Sequence, residues 1–398
     1  MNFEMIGKLS MPKETDSFKP YSEQKFESGW VRRRLVFNVV SGDNRHSLTV
    51  DAGSFADGHG DIYTFSKGYT DDSGNKVKGE TLIIPFKDRL TSPKIVEVAE
   101  FRKYIIDLEK PKRRSMLKDA LDRVQHGQNL SDEELATLEI EDASEKTLKA
   151  EVEKSEKRRH EFISEWDFAE YIKKVIDSGK YANKKFFIRG NANYTYSDAK
   201  ERVYENLVPQ RIYMADDKTE EMSEATITMV FGENAIDDGS VKETGKYYIN
   251  GYMMERDNNR KAIIPVPTTV VLLDSPEDAD DKAKKIVKSI KRKFTVEEGY
   301  KEYGFIVDML NGAQKTEITE DMLTDEQKED VELGIITMDD IRAELGNVYG
   351  ERIKEYRFKK PARGYSKGSN ETVYTDDDMI IKSIDEEVVE DIFDDDDL

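Results

Sequence analysis

Aromatic and basic residues alternate in one short apolar segment of the chain, residues 30–37. If this segment is a β-strand, Trp30, Arg32 and Arg34 share one face, because successive side chains of a strand point to opposite sides. A planar ring beside two guanidinium groups suits a single nucleic-acid strand, since bases stack on aromatic rings and phosphates attract cations. The alternative is a strand whose arginines are only solvated and whose tryptophan covers the core.

Similar patterns recur further along the chain. One predicted strand carries two cations and an aromatic ring on one face, and the next strand twice pairs an arginine with a tyrosine two residues later. A bulge in the first of these strands would instead turn its phenylalanine into the core. The candidates for phosphate contacts and base stacking in these strands are Lys185, Phe187, Arg189, Arg202, Tyr204, Arg211 and Tyr213.

A third basic and aromatic segment covers residues 352–367 and includes Arg357, Lys359 and Lys360. Pro361 inside it argues against a long helix. We therefore expect a flexible arm that lies along a phosphate backbone, or that pairs with the acidic residues after it.

Residues that could support catalysis are poorly represented. The four histidines lack metal-ligand spacing, no phosphate-binding loop ends in Gly-Lys-Ser/Thr, and there is no cysteine. The many carboxylates leave magnesium binding or acid–base chemistry open. We expect a protein that is not an enzyme and that needs no cofactor and no metal.

The elements that must position these residues are mostly strands. Segments rich in Val, Ile, Phe and Tyr between turn residues predict strands at 2–10, 30–40, 45–52, 61–67 and 76–86, and again at 184–196, 201–214, 224–231, 245–255 and 260–273. Five strands of this length suit a small barrel. The predicted fold class is mainly β with added helices (α+β), with one barrel in residues 1–110 and another in 181–275.

Helical patterns fill the remaining segments. A charged helical insert is predicted for residues 111–180, with a capping box at Ser131 and Glu134, and a helical region for residues 276–350. A basic–aromatic arm, 351–375, and a disordered acidic tail, 376–398, complete the expected domain organisation.

The charge of the chain is unevenly distributed. The net charge is −21, and the last 23 residues hold twelve acidic residues against one lysine. The rest can therefore still present a basic groove. The chain begins without a signal-peptide pattern and has no apolar run of about 20 residues, so we expect a cytoplasmic protein that does not enter a membrane.

This layout of barrels and acidic tail resembles single-stranded DNA-binding proteins, especially the replication proteins of bacteriophages. The closest likeness is the tail, residues 385–398, whose acidic residues surround the apolar Ile392, Phe393 and Leu398. The resemblance implies oligonucleotide-binding (OB) folds, no catalysis and, if phage-encoded, a bacterial host cytoplasm. It also implies that the three apolar residues anchor replication or recombination proteins.

The leading hypothesis is sequence-independent binding and protection of single-stranded DNA in phage-type replication or recombination, with a tail that competes with DNA and recruits partners. A virion structural or assembly protein is the first alternative, and a magnesium-dependent nuclease the second. The oligomeric state stays open.

Overall fold

The computed structural model describes residues 1–71, 74–276, 279–315, 323–338, 341, 349–363 and 374–382. Strands dominate, helices are added between them, and most strands belong to one large mixed sheet. The predicted mainly β chain with added helices is confirmed. No helix in the described ranges has the length and apolar character needed to cross a bilayer.

The first barrel closes on five strands. They are β1 (Asn2–Ser10), β3 (Trp30–Ser41), β4 (Asn44–Phe55), β11 (Lys185–Ser197) and β12 (Arg202–Met214). Following the hydrogen-bonded pairs gives the ring β1–β3–β4–β12–β11–β1, in which only β4 and β12 run parallel. This order, with strand one beside strand four and strand three parallel to strand five, is that of an OB-fold.

The second barrel repeats this order. Its strands are β13 (Met222–Phe231), β15 (Lys246–Arg256), β16 (Ile263–Leu273), β17 (Lys301–Lys315) and β18 (Tyr349–Pro361). The ring is β13–β15–β16–β18–β17–β13, and again only strands three and five, β16 and β18, are parallel. The two-residue β14 (Ile236–Asp237) and the one-turn α5 (Val241–Thr244) lie between its first two strands.

A helix follows strand three in each barrel, as the OB-fold has it. In the first barrel, α4 (Glu165–Asp177) starts at the Ser164 cap and buries Phe168, Ala169, Ile172 and Val175 in the core. In the second, α6 (Asp281–Lys293) packs Val287 and Ile290 against the core. The apolar residues of each helix recur at helical spacing, which is why one face of each helix packs against its barrel.

A long insertion separates strand three of the first barrel from α4. Its described residues form two small hairpins, three α-helices and a short strand pair. A separate short strand, β2 (Tyr21–Lys25), lies between β1 and β3 and pairs with β3. The bounds are β5 (Asp61–Phe65), β6 (Tyr69–Thr70), β7 (Lys76–Val77), β8 (Thr81–Pro85), β9 (Tyr104–Asp107), α1 (Pro111–Gln125), α2 (Asp132–Leu138), α3 (Glu145–Glu156) and β10 (Arg159–Phe162). The predicted capping box at Ser131 and Glu134 is present at α2. In the second barrel, α7 (Asp325–Glu332) lies between strands four and five.

The contacts between the barrels include strand pairing, a buried hydrogen bond and a close backbone approach. Strand β1 pairs with β13, so the sheet continues from one barrel into the other. The fully buried Asp257, in the turn after β15, accepts the Tyr196 N–H of the first barrel at 2.7 Å. Gly312 of β17 lies so close to the carbonyl of Asp43 that a Cβ atom there would be 1.8 Å from it. Since no side chain fits in this space, only glycine permits the contact.

The strand membership of the barrels differs from the prediction. Segments 61–67 and 76–86 lie in the insertion, and 184–196 and 201–214 complete the first barrel instead of opening the second. The reason is that pairing follows the shared core and not the order of the chain. The predicted helical region 276–350 contains β17, an additional strand.

Two further expectations for the C-terminal part are corrected. Residues 351–361 of the predicted arm belong to β18, because Tyr356 and Phe358 pack against the barrel core at alternate positions. Residues 364–373 of the arm lie outside the described residues. The first residues of the predicted tail are ordered, with a 3-10 turn at Asp376–Met379. The apolar tail residues Ile392, Phe393 and Leu398 lie outside the described residues.

Candidate nucleic-acid interface

The outer face of β3 and β4 carries the first group of predicted residues. Trp30, Arg32 and Arg34 are exposed, while the residues between them are buried. This is the alternation expected from the sequence. One of the buried residues is Arg33, whose guanidinium contacts Glu23 and Glu170 and lies 3.8 Å from the centre of the Trp166 ring. Arg33 is thereby held inside, away from any ligand on the outer face.

Trp30 belongs to a short row of rings. Its ring meets the Phe55 ring edge-on, with 5.0 Å between the ring centres, and the Phe55 ring stacks on His59 with 3.9 Å between the ring centres. The Trp30 ring also lies against Gly53, where a Cβ atom would be 2.0 Å from it. Glycine at this position therefore lets the Trp30 ring lie against the neighbouring strand, where 38% of the residue stays exposed.

The two arginines of this face differ in their electrostatic surroundings. Arg32 donates from Nε to Asp51 at 2.7 Å and makes a second contact with the same carboxylate. Arg34 makes no ion pair within the described ranges. Arg34 is therefore immediately available to a phosphate, whereas Arg32 must first leave Asp51.

The face continues into a cavity of about 700 Å³ between the two barrels. Ser47 and Thr49 of β4 line it from the first barrel, and Pro267 and Thr269 of β16 line it from the second. Arg202 of the predicted site is also in its wall, with its guanidinium 5.6 Å from the ring of Tyr204. These two predicted residues thus lie beside the β3–β4 face, at the start of β12.

A second groove, of about 670 Å³, shares Pro267 and Thr269 with this cavity and extends over the second barrel to Tyr252 and Tyr300. These strands and the cavity therefore form one surface, which we call the front face. It consists of the outer faces of strands two and three of both barrels and the cavity between them. In OB-folds, strands two and three are the oligonucleotide-binding strands.

The first part of the acidic tail lies on the front face. The Tyr300 hydroxyl donates to Asp376 at 2.8 Å, which raises the pKa of Tyr300 to about 12. Further along, Ile381 lines the cavity, and Arg260 donates to the carbonyl of Lys382. Residues 374–382 thus cover part of the surface that the two barrels present.

The remaining predicted residues of β11 and β12 lie on a different surface. It is the outer face of four neighbouring strands of the sheet, in the order β12, β11, β1 and β13. We call this surface the junction face. Phe187 lies opposite Tyr213, and Arg189 opposite Arg211. The Arg189 guanidinium is 4.8 Å from the centre of the Phe187 ring.

The cations of the junction face are largely engaged. Arg189 pairs with Glu4 at 2.8 Å, Lys185 donates to the Thr219 carbonyl at 2.6 Å, and Arg211 donates to the Glu100 carbonyl at 3.3 Å. Lys360 lines the same groove of about 1060 Å³ as the two arginines. The carboxylate of Glu4 neutralises Arg189, whereas the carbonyl contacts hold the side chains of Lys185 and Arg211 in place without removing their charge.

Two basic residues of the predicted arm are neutralised by neighbours on the barrel. Arg357 pairs with Glu355, and Lys359 lies 2.8 Å from Glu224 and 2.9 Å from Asp308. The predicted site residues are therefore not brought together in one place. Trp30, Arg32, Arg34, Arg202 and Tyr204 are on or beside the front face, and the rest lie on the junction face or in ion pairs.

The residues that the second barrel contributes to the front face were not predicted from the sequence. Tyr252 and Thr269 lie in strands predicted from their alternation, but no cluster of basic residues marks them.

Within the described residues, no group of three or more His, Asp or Glu side chains is arranged to hold a metal ion. No family model matches the chain. No curated protein matches it either.

Two solved structures from Thermus aquaticus are similar over much of the chain. The wild-type single-stranded DNA binding protein has 8% identity and a TM-score of 0.28, with 91% of this chain and 93% of that chain covered. An internal-deletion mutant of it has 8% identity and a TM-score of 0.27, with 78% and 86% covered. Because TM-scores of this size do not establish a common fold, the function has to be inferred from the geometry of the chain itself.

Proposed function

We propose that the chain binds single-stranded DNA without catalysis, and that it coats and protects the strand in phage-type replication or recombination. The observation that carries this proposal is the position of Trp30, Arg32 and Arg34 on strand two of a barrel with OB-fold order. An exposed ring and exposed cations on this strand supply stacking and phosphate attraction without reading base edges. Binding is therefore independent of sequence.

The direct test is a mobility-shift assay with oligo-dT, with and without magnesium. We expect a shift that does not need magnesium and an oligonucleotide that stays intact. Cleavage in magnesium would favour the nuclease, and no binding at any salt concentration would favour the virion protein.

A matched pair of variants separates the two faces. Arg32→Ala combined with Arg34→Ala is expected to weaken binding and to flatten its salt dependence. Arg189→Ala combined with Arg211→Ala removes the same charge from the junction face and is expected to have a smaller effect. The opposite ranking would move the interface to the junction face.

We also propose that the acidic tail competes with DNA for the front face and, once displaced, recruits a replication or recombination protein through Ile392, Phe393 and Leu398. Support comes from the contacts of Asp376 and Ile381 with the second barrel and the cavity. A carboxylate-rich segment on this surface excludes a phosphate backbone by both volume and charge.

Two truncations test the seated segment, residues 374–382, and the acidic end, residues 383–398, separately. Removal of residues 374–398 is expected to tighten oligo-dT binding most at low salt, where attraction between charges is least screened. Removal of 383–398 alone tests the acidic end without the seated segment. Equal affinity of full-length protein and both truncations at low salt would refute the competition, and partner binding is then measured separately with Phe393→Ala.

A further inference from the structure

The cavity between the barrels has the composition of a site for a small planar ligand. Its walls combine the aromatic rings of Tyr194, Tyr196 and Tyr356 with apolar side chains such as Leu207 and Val266. Ligand sites are typically concave and mostly apolar, with a few placed polar groups. The volume of about 700 Å³ is ample for one nucleotide.

Two polar groups in the cavity wall lack a partner. The His46 ring nitrogen Nε2 and the Tyr194 hydroxyl are buried, in residues that are 3% and 1% exposed, and neither has a hydrogen-bond partner among the described residues. Buried polar atoms are nearly always paired in folded proteins, and an unpaired one costs free energy. The second ring nitrogen of His46 bonds to the backbone of Met309, which leaves Nε2 as an acceptor.

This pair of groups suits the edge of a nucleobase. A hydroxyl can donate to an acceptor of a base edge, and the ring nitrogen can accept from a donor of a base edge. The third tyrosine is already engaged, because the Tyr356 hydroxyl donates to Glu205 at 2.7 Å. At the rim, Arg202 and Lys354 make no ion pair with any carboxylate in the described ranges, so both are available to the flanking phosphates.

We propose that the inter-barrel cavity takes up one unstacked base of the bound strand, between the segments held by the two barrels. This rests on the proposed function, because the cavity is part of the front face. The base lies among the tyrosine rings, its edge meets His46 and Tyr194, and Ile381 of the acidic segment occupies the entrance when no strand is bound. The strand is thereby fixed in register on the two barrels.

The test uses the full chain and the shortest oligo-dT that binds with full affinity, so that the strand cannot slide. A single abasic site is moved through this oligonucleotide one position at a time. We expect one position at which the affinity falls by about tenfold, within the range measured for loss of one stacked base. Other positions are expected to show smaller losses, except where Trp30 stacks on a base at one end of the strand.

A blocking variant identifies which of the sensitive positions belongs to the cavity. Thr269→Trp fills the space from an exposed position in the cavity wall and is expected to abolish the abasic effect at the internal position only. Thr228→Trp, on an exposed position of β13 outside the cavity, is the matched control and should keep the effect.

The outcomes separate this inference from the proposed function. If oligo-dT binds but no internal position is sensitive, or if Thr269→Trp keeps the sensitivity, the cavity site is refuted while DNA binding stands. If oligo-dT does not bind at all, both are refuted.

Discussion

Replacing Asp51 by asparagine should strengthen DNA binding, although the substitution removes an ion pair. In the free protein Arg32 is held by this carboxylate, so that the pair brings no net charge to the front face. The change Asp51→Asn leaves a group of the same size that no longer attracts the guanidinium. Arg32 then becomes as available to a phosphate as Arg34.

The magnitude follows from counterion release. Each phosphate neutralised on a single strand adds about −0.7 to the slope of log affinity against log salt concentration. One additional contact therefore steepens the slope by about 0.7, so that the advantage of Asp51→Asn over wild type grows about fivefold for each tenfold decrease in salt. The cost in stability is small, because the two side chains are 46% and 37% exposed and such ion pairs are worth about 0–1 kcal/mol.

The assay is fluorescence-anisotropy titration of labelled oligo-dT at several salt concentrations. Asp177→Asn is the matched control, since Asp177 forms a similarly exposed ion pair with Lys173 on α4, away from the front face. Adding Arg32→Ala to Asp51→Asn should restore the wild-type slope. If Asp51→Asn binds with an unchanged slope, Arg32 does not contact phosphate and this account of the front face is wrong.

Three further results are expected. With Trp166→Phe in place, Trp30 is the sole tryptophan, and oligo-dT should quench its emission; unchanged emission during binding proven by mobility shift would make Trp30 remote from the strand. Asp257→Ala removes the acceptor of the Tyr196 N–H and of two turn amides, so urea unfolding should show a loss of about 2–4 kcal/mol, and Asp257→Asn a smaller one. Burial lowers the pKa of His46 from 6.5 to about 4. Between pH 6.5 and pH 4 this ring is therefore protonated in the unfolded chain and neutral in the folded chain. The free energy of unfolding should thus fall as pH decreases, and between pH 7 and pH 5 wild type should lose about 2 kcal/mol more than His46→Gln. Equal losses in the two proteins would contradict this.

The local features of the fold were predictable from the sequence. Alternation of buried and exposed positions in residues 30–37 identified both a strand and its outer face, because the period of two is a property of the strand alone. The capping box at Ser131 was likewise visible, since the helix start depends on residues only three positions apart.

Pairing between distant strands was not predictable in the same way. Strands that follow one another in sequence are usually neighbours, and the prediction built each barrel from consecutive strands on that basis. The chain instead inserts two hairpins, a strand pair and three helices between strands three and four of the first barrel. Only the shared core of residues such as Leu35, Leu48 and Ile188 records that β11 belongs with β3 and β4.

This topology implies a different division of the chain from the one expected. The first barrel is complete only with β12, and the second begins with β13 and ends with β18. We therefore propose that residues 1–214 and 222–361 are the two domains, with the insertion as part of the first.

The division also explains why neither barrel is expected to bind DNA alone with full affinity. The cavity is lined by residues of both barrels, and Asp257 of the second barrel accepts the Tyr196 N–H of the first. The β1–β13 pairing joins the two barrels directly. A strand bound in the proposed way would meet two barrels whose relative position is already fixed by folding, so less conformational entropy would be lost on binding.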